Sequence, residues 1–280
     1  AVQIAGTNGK GSVSAMLAGI LKEGGYKTGL FTSPHLVEVN ERIRINGVPI
    51  SDKIMERFIL DYNESIASLE ASFFESITAM AFWYFKKKRV DIAVMETGLG
   101  GRLDSVSICK PIATVMTPIS LDHMEILGES LKEIAIEKSG AMKHRVPCIS
   151  AKQNKEVEEV LKSQAKKLYS PIHFVNGKEK QKFTTNLSGR VQKENALLAI
   201  ETIMKIPNFT ISEPHIKRGL QSVRWHGRNQ MIQENPFIIF DVAHNLDSII
   251  NFLKYYKNLN IKGDSTLIIA LQARKRIDTA

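Results

Sequence analysis

Val2-Gln3-Ile4-Ala5-Gly6-Thr7-Asn8-Gly9-Lys10-Gly11-Ser12 stands at the head of the chain, and its reading decides the fold. A short apolar run gives way to glycines, a lysine and a serine. Val13, Met16, Leu17, Ile20 and Leu21 then recur at helical spacing, Gly24-Gly25 closes that helix, and 27–32 reads as the next strand. Strand, glycine-rich loop, helix, strand is the opening of a parallel α/β sheet. Glycines let backbone N–H groups approach phosphate oxygens, and the helix N-terminus adds positive potential. Gly6, Thr7, Asn8, Gly9, Lys10, Gly11 and Ser12 therefore predict a phosphate-binding loop for ATP. In it Lys10 reaches the terminal phosphates and Ser12 holds the bridging magnesium. The spacing is G-x-x-G-K-G-S, not the common G-x-x-x-x-G-K-[ST], because Gly11 separates Lys10 from Ser12. A tight structural turn at a helix start is the alternative.

Downstream the alternation continues. Helices are expected over 51–68 and 74–85, a continuous apolar strand over 90–95 with Glu96 at its carboxyl end, and a strand over 111–116. A helix over 131–138, a strand over 146–150 and a helix over 155–168 follow. This βαβα order predicts a doubly wound, mostly parallel sheet. Residues 177–188 are polar and read as a loop. Helices are expected over 193–205, 213–221 and 246–256, a buried strand over 237–240, and a last strand over 266–271. Apolar content falls over 257–264, so the boundary of an ATP-binding domain is placed at 262, with 263–280 opening a smaller α/β domain. The loop begins within a few residues of Ala1 and the chain stops just after 265–271, which suggests a piece of a longer protein.

Composition narrows the class. The 280 residues are 43% hydrophobic and 24% charged, an ordinary globular balance. No apolar run reaches the ~20 residues that span a bilayer, and no secretory leader pattern is present. Cys109 and Cys148 make neither a metal spacing nor a disulfide framework, so a reduced, cytoplasmic enzyme is expected. The net charge of +9 is scattered. Its densest run, Lys86-Lys87-Lys88-Arg89, reads as a solvated helix end. Anionic small substrates are favoured over nucleic acid, and no membrane partner is expected.

Four further constellations bear chemistry. Glu96, closing a buried strand before Gly98, Gly100 and Gly101, lies at the ligand edge of an open sheet as a candidate magnesium ligand; a pair with Arg102 in a glycine turn reads equally well until the phosphate loop is counted. Asp122-His123, at the end of another strand, suits a second metal ion, though a lone histidine is more often structural. Lys138, at the end of a helix, reads on its own as a cation on the helix dipole. Arg228, Asp241 and His244-Asn245 place polar groups at the same edge, or form a surface turn.

Taken in order, these residues resemble the folylpolyglutamate synthase and dihydrofolate synthase family, a branch of the Mur ligases. The resemblance runs over nearly the whole chain. It is carried by 6–12, by Thr32-Ser33-Pro34-His35-Leu36 with Asn40-Glu41-Arg42-Ile43-Arg44, by 96–104, by Asp122-His123 through Leu127-Gly128, by Glu137-Lys138-Ser139-Gly140 and by 241–245. It implies a Mur ligase central domain and the start of a Rossmann-like C-terminal domain. It also implies an ATP-dependent ligase that activates a folate or dihydropteroate carboxylate as an acyl phosphate for attack by L-glutamate. Two magnesium ions, with potassium as a further ion, and a monomer are the family expectation. Residue by residue, Ser12, Ser33, Glu96 and His123 match metal ligands, and Lys138 matches the lysine carbamylated in this family. Lys10, Glu96, His123 and Lys138 form the catalytic set. Asn195, Arg228, Asp241 and His244 match nucleotide contacts. Ser72, Phe73, Phe74 and Glu75, with Leu103, Asp104 and Ser105, match segments that touch the pteroate.

The departures fall on substrate and adenine contacts. Ser105-Val106-Ser107 stands for the family's Ala-Thr-Asn, Val242 for its glycine, Leu246 for its proline, His226 for the proline before Gly227-Arg228, and Gly189-Arg190-Val191-Gln192 for a Gly-x-His-Gln pattern. A Mur-type ligase with another acceptor and a non-catalytic ATP-binding relative are the alternatives. Ser33-Pro34-His35 and Asn40-Glu41-Arg42 argue against the first, and intact Lys10, Ser12, Glu96 and His123 against the second.

Overall fold

The computed structural model describes residues 1–175 and 183–271. The elements run β1 (Val2–Ala5), α1 (Lys10–Glu23), β2 (Thr28–Phe31), β3 (Ile43–Ile45), β4 (Val48–Pro49), α2 (Asp52–Ser68), α3 (Phe73–Lys88), β5 (Ile92–Glu96) and β6 (Ala113–Met116). They continue with α4 (Met124–Leu127), α5 (Leu131–Ser139), β7 (Cys148–Ser150), α6 (Lys155–Lys167), β8 (Ile172–Phe174), α7 (Arg190–Lys205), α8 (Glu213–Ser222), β9 (Gln230–Glu234), β10 (Phe237–Phe240) and α9 (Leu246–Asn258).

Eight strands form one sheet in the order β4-β3-β2-β5-β1-β6-β7-β8. From β2 to β8 the pairing is parallel. β3 and β4 add an antiparallel edge. Every residue of β1 and β6 is buried, as expected for parallel strands covered on both faces. On one face Val2, Ile4, Val94 and Val115 meet Met16, Leu17, Ile20 and Leu21 of α1, together with α7 and α8. On the other face Ala5 and Met116 pack with Ile134 of α5 and Leu161 of α6, while Phe31 and Met95 pack with α2 and α3. Helices on both faces make the sheet doubly wound, as the alternation predicts.

α1 and α8 cross through two glycines. A Cβ on Gly219 would lie 2.5 Å from Ile20 Cα, and one on Gly19 would lie 2.9 Å from the Gly219 carbonyl oxygen. Bare backbone at both positions allows the close approach. Ser72 and Ser130 open α3 and α5 with capping boxes, satisfying backbone donors that a helix start leaves unpaired. The Lys86–Arg89 run does end a helix, α3, with its cations in the last turn and just beyond it.

Several expectations need correction. The run 237–240 is neither buried nor part of the main sheet. It forms a separate antiparallel hairpin with β9, and Phe237, Ile238 and Phe240 are exposed. An apolar run of four cannot say whether anything covers it. Residues 266–271 form no strand, and Ile268 is 88% exposed, because among the described residues no strand lies beside that segment to pair with it. β3, β4, β8 and β9 were not anticipated, being short and paired outside the local βα rhythm. Asp122 and His123 lie in the loop six and seven residues past β6, not at the strand end itself. Of the expected loop 177–188, residues 177–182 lie outside the described residues, while Phe183 and Leu187 pack on the core. Of the domain expected from 263, residues 272–280 likewise lie outside them.

Candidate functional site

β1 delivers the phosphate loop to the carboxyl edge of the sheet, between β5 and β6. Gly6 has φ +135°, and a Cβ there would sit 2.1 Å from Thr117 Oγ1. Gly9 has φ +90°, and its Cβ would meet Asn195 Oδ1 at 2.6 Å. Both glycines are required by conformation and by space. Thr7 and Asn8 donate their backbone N–H groups to the Pro118 carbonyl, which ties the loop to the segment after β6.

A cavity of about 510 Å³ opens over this loop. Thr7, Asn8, Gly9, Lys10, Gly11, Ser12, Ser33, Glu96, His123, Lys138, Asn195, Arg228, Asp241 and His244 all line it. The structure therefore brings together every expected nucleotide and metal residue except Gly6, which lies just beneath. The Gly6 carbonyl accepts Lys10 Nζ at 3.3 Å and Lys138 Nζ at 2.9 Å. Two lysines thus converge on one loop carbonyl. Lys138 is buried, 3% exposed, so it is not the solvated helix-end cation its position suggests. Burial, and Lys10 nearby, lower its pKa to about 7.

Glu96, the last residue of β5, is also buried. Burial raises its pKa to about 7, against the opposing pull of Lys10, the Ser33 N–H and Arg228. Its carboxylate accepts the Ser33 N–H at 3.1 Å. Arg102 pairs with Glu137 at 2.9 Å, so the alternative Glu96–Arg102 pair does not form. Ser12 Oγ is buried without a hydrogen-bond partner. A carboxylate and an orphaned hydroxyl over a phosphate loop are hard oxygen donors of the kind magnesium takes. Among the described residues no three His, Cys, Asp or Glu side chains form a metal-holding group. Magnesium does not need one, since it keeps several waters and shares one or two carboxylates with substrate phosphates. The donor set fits the ion.

His123 adopts φ +51° at the residue before α4, with no side-chain hydrogen bond to that helix start; its Nε2 is 4.0 Å from Asp122 Oδ1 and its Nδ1 3.9 Å from Glu125 Oε1. Asp122 is also reached by His244 Nε2 at 3.5 Å and by Asn245 Nδ2 at 3.1 Å. Asn245 exchanges amide hydrogen bonds with Asn8, at 3.0 and 3.2 Å, and its Oδ1 caps α9 by accepting the Ser248 N–H. Asn8, Asp122 and Asn245 thus form one network joining the phosphate loop to α9. Arg228 donates to the Gly227 carbonyl at 2.9 Å and feels the charges of Asp241 and Glu96, while Asp241 accepts the N–H groups of Asn229 at 2.7 Å and Ala243 at 2.8 Å.

The substrate segments border this cavity without lining it. Phe74 packs where a Gly98 Cβ would be, its ring 2.5 Å from that point. Ser72 and Glu75 spend their polar groups on each other at the start of α3. Asp104 accepts the N–H groups of Gly98, Leu99 and Val106, which shapes the glycine turn after Glu96. Ser105 donates to Thr78 Oγ1 at 3.1 Å. Phe73 and Leu103 are exposed, and the Arg42 guanidinium lies 5.2 Å from the Phe73 ring centre.

The sequence reading missed one wall of the cavity. Ser248, Asn251, Phe252 and Tyr255 of α9 line it. Their three- and four-residue spacing after the capping turn at 241–245 is the signal that pointed there.

Comparison with known proteins gives consistent findings. The Mur ligase middle domain matches residues 4–167. The chain is 35% identical to the dihydrofolate synthase/folylpolyglutamate synthase of Bacillus subtilis over 89% of this chain and 65% of that protein. It is 31% identical to the folylpolyglutamate synthase of Lacticaseibacillus casei over 92% of this chain and 68% of that protein. A solved FPGS–AMPPCP–folate complex superposes with a TM-score of 0.86 at 30% identity, covering 93% of this chain and 72% of that one. The chain thus spans about two thirds of the length of these curated relatives.

Proposed function

The chain belongs to the Mur ligase family, in its folylpolyglutamate and dihydrofolate synthase branch, and on that premise we propose that it serves an ATP-dependent ligase joining a folate or dihydropteroate carboxylate to L-glutamate. One observation carries the proposal. Lys10 and Lys138 converge on the Gly6 carbonyl, in a cavity that also presents Glu96 and the unpartnered Ser12 hydroxyl. This is a cationic cradle with hard oxygen donors beside it, which is what phosphoryl transfer to a carboxylate requires. The acceptor carboxylate attacks the γ-phosphorus of ATP and ADP leaves. The glutamate amine then attacks the acyl carbon, loses a proton, and phosphate departs.

In this reading the loop N–H groups and Lys10 hold the phosphates and draw off developing charge. Ser12, Ser33 and Glu96 would hold one magnesium ion and His123 the second, supplying charge neutralisation on the transferring phosphoryl group. Arg228 and Asp241 orient the nucleotide, with Asn195 beside Gly9 and His244 toward the base. Lys138 is the carbamylation site. An amine attacks carbon dioxide only when neutral, and burial brings this one's pKa down to about 7, so that a large share of it is neutral near pH 7. Phe73, Phe74, Leu103 and Ser105 lie on the side where the pteroate would rest.

The connection 223–229, rather than 262–263, marks the start of the second domain in this proposal, because β9 and β10 pair with each other and not with the main sheet. Among the described residues no helix is long and apolar enough to cross a membrane, and both cysteines are free. A cytoplasmic monomer is the reading that the family resemblance supports.

Glutamate-dependent ADP release by the full-length protein, compared with dihydropteroate and with tetrahydrofolate, tests the proposal. Release with either acceptor supports it. ATP turnover only with a peptidoglycan precursor would sink it.

A further inference from the structure

Gly11 is the residue that makes the phosphate loop depart from the common spacing, and it is covered by an indole. A Cβ on Gly11 would lie 3.0 Å from Trp225 Nε1, 3.2 Å from Cζ2 and 3.3 Å from Cε2. The ring therefore rests on the bare backbone of the first turn of α1. Its partner is Arg44 of β3, whose guanidinium carbon lies 5.3 Å from the ring centre. Arg44 is itself anchored, since its Nε donates to the Glu41 carbonyl at 2.9 Å. Trp225 also stands three residues before Arg228, the cation on which the charges of Asp241 and Glu96 act. One half-buried ring thus meets the phosphate loop and β3 beyond Ser33, and it belongs to the connection that delivers Arg228.

We propose that Trp225 is a positioning residue for nucleotide binding: its indole, clamped between Gly11 and Arg44, sets the distance between the phosphate loop and the segment that carries Arg228. This explains the extra glycine. A methyl at position 11 would press on the ring at 3.0–3.3 Å and push it, with the connection to Arg228, outward by a few tenths of an ångström, so glycine lets the indole seat closest. The stack is a cation over an aromatic face, an attraction that strengthens where water is partly excluded. The inference rests on the nucleotide-binding part of the function proposed above.

The chain holds two tryptophans, and the second allows a clean readout. Trp83 packs edge-on against Phe58 at 5.4 Å and beneath Lys87, within the separate cluster formed by α2 and α3. In a full-length variant with Trp83 and any tryptophan outside these 280 residues replaced by Phe, emission comes from Trp225 alone. Titration with a non-hydrolysable ATP analogue should change that emission saturably, with the affinity that calorimetry reports. Trp225→Ala should weaken analogue binding and raise the ATP KM on the order of tenfold, leaving kcat and the KM for glutamate close to wild type. Trp225→Phe, which keeps a flat ring on Gly11, should recover most of the loss. Arg44→Ala should shift the ATP KM in the same direction by less. Unchanged analogue affinity in Trp225→Ala overturns the proposal. So does a uniform loss of all affinities together with melting temperature, which would mark a merely structural ring. If the wild type binds the analogue but releases no ADP with any acceptor, the ligase reading fails while the affinities still decide the role of Trp225.

Discussion

Lys138 and Glu96 are opposite charges with the same burial problem. Lys138 falls from 10.5 to about 7 and Glu96 rises from 4.5 to about 7, so each is half neutral near pH 7 without ligand. The signs of their effects on stability differ in pH. For Lys138 the folded state releases its proton before the unfolded chain does. Its destabilising cost is complete below pH 7 and fades as pH rises toward 10.5. Lys138→Met should therefore melt above wild type at pH 6, by an amount on the order of 3–5 kcal/mol, and the gap should close by pH 10. For Glu96 the folded state keeps its proton longer. Its cost is absent below pH 4.5 and grows until about pH 7. Glu96→Gln, in metal-free buffer, should gain little at pH 4 and most above pH 7, in thermal melts across that range. Lys138 also predicts chemistry: wild type in bicarbonate should gain the mass of one carbon dioxide that acid removes, and Lys138→Met should not. Lys10→Ala should lower kcat/KM for ATP by about 10²–10³-fold, read by steady-state ADP release. The burial of Lys138 is not visible in the local pattern, because Glu137-Lys138-Ser139-Gly140 looks like any helix end and only the family resemblance singles the lysine out; the fold brings Gly101 against its backbone carbonyl and the Gly6 carbonyl to its ammonium.

Elements were legible where their signal is local. The β1-loop-α1 unit announces itself, since Gly, Lys and Ser follow an apolar run and precede a 3.6-residue period. β3 and β4 were not legible, because Ile43–Ile45 is three residues long and its partner is β2, across the loop that holds Ser33. The Phe237–Phe240 run reads as buried, yet burial depends on what lies opposite, and among the described residues only β9 pairs with it. The α1–α8 crossing belongs to the same class of fact: Gly19 and Gly219 are 200 positions apart and neither hints at the other. Gly219→Ala tests that contact. Alanine would favour the helix by about 1 kcal/mol, but its methyl would meet the Ile20 backbone at 2.5 Å, and backbone cannot swing aside. Overpacking of about 1–3 kcal/mol should win. The denaturation midpoint should fall with an unchanged slope.

Across the whole molecule, the cavity closes through contacts that span the chain. Asn8 and Asn245 are 237 positions apart, and their mutual hydrogen bonds, with Asp122 as third member, fasten α9 over the phosphate loop. No local pattern could have announced this; the sequence offers the asparagines and the fold decides that they meet. Asn245→Ala removes both the clasp and the α9 cap, the latter alone worth about 1 kcal/mol. Amide exchange across Leu246–Asn258 should accelerate while that of β1 and β6 stays unchanged, and a nucleotide analogue should restore part of the protection. A slowdown or no change in α9 would show the clasp to be inert. The contrast between these regions has a mechanical meaning. β1 is bonded on both sides and covered on both faces, so the loop springing from it behaves as an anvil. It should be among the last parts of the molecule to yield, whereas α9, fastened to it by the Asn8–Asn245 clasp, is the hammer that should lift first.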